Sequence, residues 1–254
     1  MSQADKAGAF AALHIKGNPL VLYNIWDAGS ARAVEKAGAA AVATGSWSVA
    51  AAQGYRDGEA LPLDLLVTIV ERIAATVDVP LSVDFEGGFA EAPAQIEENT
   101  RRIVAAGAIG VNFEDQVVGG EGLHDAARQA ERIAAVCSAG EASGVPLFVN
   151  ARTDLFLKEQ DRGRHADLVD EAIERSGTYA RAGASGFFVP GLVDPDLINT
   201  ICQASALPVN IMMMPDAPTL TTLAGLGVAR ISYGPGPYRE AVKAVADRYS
   251  AISG

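Results

Sequence analysis

The sequence predicts an α/β protein folded as a single TIM-type (β/α)8 barrel over residues 1–254. Three observations predict it. Eight short apolar runs alternate with amphipathic helical stretches; eight repeats across 254 residues take about 32 residues each, close to the roughly 30 of a βαβ unit; and the total length matches the ~250 residues typical of such barrels.

The runs are Val21–Ile25, Ala41–Thr44, Leu81–Phe85, Gly110–Phe113, Leu147–Asn150, Gly186–Val189, Val209–Met212 and Ala229–Ser232. Each is bounded by Gly, Pro, Asp or Asn, as buried strands are. Several lack apolar/polar alternation, as expected of parallel strands covered on both faces. Between them, Pro93 to Ala106 reads as a helix with proline in its first turn, Ile96, Ile103 and Val104 on one face and Gly107 as its stop. Leu61 to Val77 repeats the pattern with Leu65, Ile69, Val70 and Ile73; Ala28 to Ala37 and Ser176 to Ala182 each run into a glycine. The alternative, an open doubly wound sheet, would place a glycine-rich phosphate turn after its first strand. Here that strand is followed by Trp26-Asp27-Ala28-Gly29-Ser30.

Hydrophobic residues make up 49% of the chain and charged residues 20%, so a large core is affordable and disorder is excluded. The 20 Lys and Arg against 31 Asp and Glu leave a net charge of -11. Such a surface repels phosphates and anionic lipid, which argues against nucleic acid or membrane partners. Cys137 and Cys202 fall in alanine-rich helical stretches and read as small buried residues, not a disulfide framework. With no signal-peptide pattern and no apolar span of membrane length, a cytoplasmic protein is expected.

In a (β/α)8 barrel the active site forms at the C-terminal strand ends. The third strand ends in Asp84-Phe85-Glu86-Gly87-Gly88, the fourth in Glu114-Asp115-Gln116, and the fifth in Arg152-Thr153-Asp154. Asp84 and Glu86 stand two apart, on one strand face, and Glu114 takes the matching place on the next strand. Three carboxylates at one mouth repel unless a cation neutralises them, and oxygen-only ligands suit Mg2+ or Mn2+. Arg152 is placed to grip a substrate carboxylate, to pair with Glu114 or Asp154, or both. No lysine stands at a strand end for Schiff-base chemistry. Of the three histidines, only His124 lies in a loop after a strand end, where it is a candidate acid/base or a solvated side chain. Asn210, at the end of the seventh strand, either faces the substrate or caps a turn; it, Trp47, Met212 and the loop after the fourth strand shape the pocket.

The segments NIWDAGSARAVEKAG, SVDFEGGF, GVNFEDQ and NARTD, in this order and spacing, resemble the isocitrate lyase/phosphoenolpyruvate mutase superfamily from about Asn24 to Tyr233. The resemblance implies a Mg2+-dependent barrel that makes or breaks a C–C, P–C or C–O bond beside a 2-oxo acid or its enolate. It assigns metal carboxylates to Asp84, Glu86 and Glu114, a further acid to Asp57, the substrate arginine to Arg152, and an oxyanion-contacting loop to Gly45, Ser46 and Trp47. It implies a homotetramer or homodimer in which the C-terminal helix, Tyr238 to Ile252, is exchanged between subunits, and a mobile lid after the fourth strand. There the chain departs from the family's lyases. Their Lys-Lys-Cys-Gly-His run is replaced by Gly120-Glu121-Gly122-Leu123-His124, which removes the cysteine acid/base and keeps the histidine. The lysine- and asparagine-bearing lid of the mutases and phosphonopyruvate hydrolases is not evident, Trp47 replaces small residues, and Glu86 replaces a frequent Asp. The expected function is a Mg2+-dependent lyase or decarboxylase acting on a small, oxaloacetate-like 2-oxo acid through a metal-stabilised enolate. The alternatives are a phosphonopyruvate hydrolase or mutase, and a non-catalytic 2-oxo acid binding protein.

Overall fold

The computed structural model of the chain describes residues 1–253, with side chains as far as Ile252. All eight expected runs form strands: β1 (Leu20–Leu22), β2 (Val42–Ala43), β3 (Leu81–Asp84), β4 (Gly110–Glu114), β5 (Phe148–Arg152), β6 (Gly186–Phe188), β7 (Val209–Met212) and β8 (Arg230–Ser232). They make one parallel sheet in the order β1-β8-β7-β6-β5-β4-β3-β2. The seam between β1 and β2 closes at the C-terminal end alone. There the Ile25 N–H donates to Ala43 O at 2.8 Å and the Gly45 N–H to Ile25 O at 3.2 Å. Eight parallel strands closed in this way form a (β/α)8 barrel.

Before the barrel stands α1 (Gln3–Ala12), and then come α2 (Ala28–Lys36), α3 (Ser46–Ala52), α4 (Leu63–Ala74), α5 (Pro93–Ala105), α6 (Ala126–Ala142), α7 (Leu155–Lys158), α8 (Val169–Arg181), α9 (Pro195–Ala204), α10 (Leu220–Gly225) and α11 (Gly236–Ser253). The expected apolar stripe of α5, Ile96, Ile103 and Val104, is buried, as are Ile69, Val70 and Ile73 on α4; there Leu66 is buried in place of the expected Leu65, which is only half-buried. Gly107 ends the α5 segment at φ 112°, where a Cβ would meet the Ala74 Cβ at 2.6 Å; only glycine combines that backbone with that approach. Helix α8 starts seven residues before the expected Ser176, because its first half buries its apolar stripe among charged residues, Val169 and Ala172 beside Asp170, Glu171 and Arg175.

Helix α1 plugs the N-terminal end of the barrel. Phe10 packs edge-on against Phe148 with ring centroids 5.3 Å apart, and His14 stacks on Phe148 at 4.0 Å. Burial holds the His14 imidazole down to about 3, with Arg230 adding to the effect. Above this plug the barrel interior is polar. Asn112, Asn150, Asn210, Arg230 and Ser232 are all buried there, in place of the aliphatic layers usual in such barrels. Cys202 is buried on α9, as expected, whereas Cys137 on α6 is only half-buried; both are free thiols. Among the described residues no helix is long and apolar enough to cross a membrane.

Helix α11 starts against the barrel, with Tyr238 edge-on to Trp26 at 5.2 Å and to Trp47 at 5.9 Å. Beyond that its apolar residues lie open: Val242, Val245, Tyr249 and Ile252 are 48%, 71%, 71% and 85% exposed. Their spacing of three, four and three residues places them on one stripe. The outer face of β1 is uncovered too. Ile15, Val21 and Tyr23 are exposed and border a groove of about 560 Å3 that runs to Val34 of α2.

Candidate active site at the barrel mouth

Side chains two apart on one strand share a face, so the inward face of β4 carries both Asn112 and Glu114, and that of β5 carries Asn150 and Arg152. Parallel register sets Asp84 level with Asn112, and Glu114 level with Arg152. Above these ends opens a cavity of about 180 Å3. Its polar lining includes Asn24, Ser46, Asp57, Asp84, Asn112 and Arg152; its apolar lining is Trp47, Leu157, Phe188, Met212 and Pro235.

Asp84 ends β3. Its Oδ2 accepts the Ser46 N–H at 2.9 Å, while its Oδ1 is buried with no hydrogen-bond partner. Glu86 lies past the end of the strand at φ 50°, so strand alternation does not extend to it, a correction to its expected place on the Asp84 face. The left-handed backbone aims it at the loop after α3, where its Oε2 accepts the N–H groups of Gly58 (3.0 Å) and Glu59 (2.8 Å). Burial, with Asp57 and Asp84 nearby, pushes the Glu86 carboxyl up to about 8. Glu114 is raised well above the usual carboxylate range by burial and by Asp154, Asp84 and Glu86, against the pull of Arg152. Burial and Asp84 raise Asp57 as well. Buried like charges that repel one another are relieved by a proton or by a bound cation.

Arg152 makes both expected ion pairs at once. Its Nη1 lies 2.9 Å from Glu114 Oε2, and its Nε and Nη2 donate to the two oxygens of Asp154 at 2.6 and 2.9 Å. Burial disfavours the guanidinium charge, but Glu114, Asp154 and Asp84 outweigh it and hold Arg152 cationic. Asp154 is fixed in turn, its N–H donating to Asp115 Oδ1 at 3.0 Å. Asp115 Oδ2 accepts from Tyr179 (2.8 Å) and Arg175 (3.1 Å). This supporting chain reaches α8 and was not legible in the sequence, because Asp115 lies 39 residues from Asp154 and 60 and 64 from Arg175 and Tyr179 along the chain.

The remaining expected residues divide. Gly45, Ser46 and Trp47 line the cavity, but the Gly45 N–H is bonded to Ile25 and that of Ser46 to Asp84, so these two amides are engaged. Asn210 is turned into the barrel, where its Nδ2 donates to Ser232 Oγ at 3.1 Å, and it is absent from the cavity lining. His124 stands outside it as well, its Nε2 3.6 Å from Glu91 Oε2; burial, then Arg132, lower its imidazole. The expected lid is a short hairpin: Gln116 bridges Leu123, the Val117 N–H donates to Gly122 O, and the His124 N–H to Asp115 O. None of its residues lines the cavity. Leu157, Phe188 and Pro235 were not anticipated. Nothing in an apolar strand or loop residue signals that it faces a cavity.

The residues fit a hard divalent cation, though not a ready-made cage. Among the described residues no three Asp, Glu, His or Cys side chains are gathered so as to hold a metal ion. The orphaned Asp84 Oδ1, with Asp57 lining the same cavity, matches the way Mg2+ is usually carried, on one or two carboxylates with water and substrate completing the shell.

The sequence matches the phosphoenolpyruvate phosphomutase family profile over residues 10–253. The chain belongs to this family. A solved Burkholderia cenocepacia structure, provisionally described as a phosphonomutase, superposes with a TM-score of 0.96 at 46% identity, covering 98% of this chain and 99% of that one. The 2-methylisocitrate lyase of Escherichia coli is 28% identical across 99% of this chain and 86% of its own. The oxaloacetate decarboxylase of Paraburkholderia xenovorans is 28% identical across 92% and 77%. Phosphoenolpyruvate phosphomutase family relatives of this chain thus include enzymes that cleave carbon–carbon bonds.

Proposed function

We propose that this chain is a divalent-cation-dependent carbon–carbon lyase that decarboxylates a small 2-oxo acid carrying a second carboxylate on the neighbouring carbon, of which oxaloacetate is the simplest. The observation that carries the reading is the mixed lining of the cavity: the charged Arg152, Asp84 and Asp57 share it with the apolar Trp47, Leu157, Phe188 and Met212. Decarboxylation turns a charged carboxylate into neutral CO2 and moves its charge to the 2-oxo oxygen. Apolar lining beside the departing carboxylate disfavours its charge and leaves CO2 untouched, so it favours departure. A doubly charged phosphonate would need further cations, and Arg152 is the one cationic side chain in the cavity lining among the described residues.

Arg152 would hold the substrate's 1-carboxylate, its fork fixed by Asp154 and Glu114. Asp84 would carry the cation directly, with Glu86 and Glu114 acting through its water shell. When bound, that ion supplies electron withdrawal at the 2-oxo group. The electron pair of the broken bond ends on the substrate as an enolate, which takes one proton from water entering the mouth. This route needs neither the cysteine that the lid lacks nor an acid from His124. The test is CO2 release from oxaloacetate with Mg2+. Acceleration beyond the metal alone is expected, with no phosphate released from phosphonopyruvate. No acceleration would reject the reaction; metal-dependent binding without turnover would leave the binding-protein alternative.

We also infer that two copies exchange α11. The exposed stripe of Val242, Val245 and Ile252 and the open apolar groove along β1 are complementary surfaces, each too apolar to remain in water at no cost. A dimer or tetramer is expected by light scattering, and Val245→Asp should shift it towards monomer. A monomeric parent protein would refute the exchange.

A further inference from the structure

Asn112 lines the cavity floor, level with Asp84 in the neighbouring strand. Its Oδ1 accepts two hydrogen bonds, from Asn150 Nδ2 at 2.9 Å and from Arg230 Nη2 at 3.1 Å. A guanidinium can only donate, so Arg230 fixes which way the amide faces. The oxygen is held towards the barrel centre and the amino group is left over. That Nδ2 bonds to no described residue, yet it is not among the side-chain atoms sealed away without a partner. An amide donor therefore remains open to the cavity, with its orientation locked from behind.

Arg230 is unusual in its own right. It is fully buried in the barrel, has no carboxylate at ion-pair distance among the described residues, and leaves its Nη1 without a partner. Burial lowers its guanidinium to about 9, with Asp84 opposing. Its other contacts are Ser232 Oγ at 3.4 Å and the face of Phe10 at 5.9 Å. A buried cation without a counter-ion is costly and is retained where something compensates it. The acids at the mouth, Asp84 first, are the available compensation. A positive charge on Oδ1 also draws electron density from the amide and strengthens its N–H groups as donors.

We infer that Asn112 is a further substrate-binding residue, whose Nδ2 donates to an oxygen of the bound 2-oxo acid, and that Arg230 is the positioning residue that aims and polarises it. The inference rests on the reading of the cavity as a 2-oxo acid site. The probe is oxalate, a planar dianion shaped like the enolate of a 2-oxo acid, titrated into the Mg2+-loaded protein by calorimetry. Asn112→Ala and Arg230→Met are each expected to bind roughly 10- to 100-fold more weakly, the range of one hydrogen bond to a charged group. The double variant should bind no more weakly than Asn112→Ala alone, because Arg230 acts through Asn112. Arg230→Lys, which keeps the charge and a donor, should recover part of the loss. Multiplying losses, or an Asn112→Ala protein that binds as tightly as its parent, would overturn the assignment. A crystal structure of the parent protein with oxalate and Mg2+ tests it without any variant, since Nδ2 should lie about 2.7–3.2 Å from an oxalate oxygen; a longer separation overturns it. Failure of the parent protein to bind oxalate would sink the lyase reading along with it, whereas binding indifferent to Asn112 sinks this assignment alone.

Discussion

Asp84→Asn is expected to abolish the thermal stabilisation given by Mg2+ and to lower kcat/KM for oxaloacetate roughly 10^3-fold, the scale of several kcal/mol of lost charge stabilisation. The substitution preserves shape, and its oxygen can still accept the Ser46 N–H that Oδ2 accepts now at 2.9 Å. What disappears is the charge on the buried, unpartnered Oδ1 side. The metal-free variant should therefore unfold at or above the temperature of the parent protein, because Asp57, Glu86 and Glu114 no longer face a like charge there. Thermal unfolding with and without Mg2+ reads both effects. An unchanged Mg2+ shift in the variant would remove Asp84 from the cation site and leave Glu86 and Glu114 as its holders.

Arg152→Lys is expected to lower kcat/KM roughly 10^2- to 10^4-fold, mainly through KM, and to cost about 1–3 kcal/mol of stability. Lysine keeps the charge but cannot reproduce three nitrogens directed at Glu114 and Asp154 at 2.9, 2.6 and 2.9 Å. Part of the two carboxylates' hydrogen bonding is lost in a site where burial already disfavours the Glu114 charge. The Mg2+-induced thermal shift should persist, since Asp84 is untouched. Steady-state kinetics alongside unfolding measurements separate the two effects. A variant with parental KM would reduce Arg152 to a structural ion-pair partner.

Much of the site was legible because barrel geometry converts sequence position into place. A residue at a strand's C-terminal end stands at the mouth, and Asp84 and Arg152 needed no more than that to be found in the cavity lining. The limits have equally specific causes. Glu86 lies one step too far, where a left-handed backbone ends strand alternation. Asn210 sits in the same inward layer as the site residues but is turned to Ser232, a choice of hydrogen-bond partner that no local pattern encodes. His124 follows a strand end but is carried aside by a hairpin pinned between Gln116 and Leu123.

By itself the chain's order of residues determined the barrel, its eight strands, the glycine stops of its helices and the acids and arginine carried to one end. These follow from periodicity and turn chemistry, which are local. Tertiary structure alone decided which of those groups remain available. The Ser46 amide went to Asp84, the Arg152 fork went to Asp154 and Glu114, and the Asn112 amino group was left open by a buried arginine from β8, 118 residues away. Each of these depends on partners brought together by barrel closure, and a hydrogen bond is satisfied by proximity in space, whatever the separation along the chain.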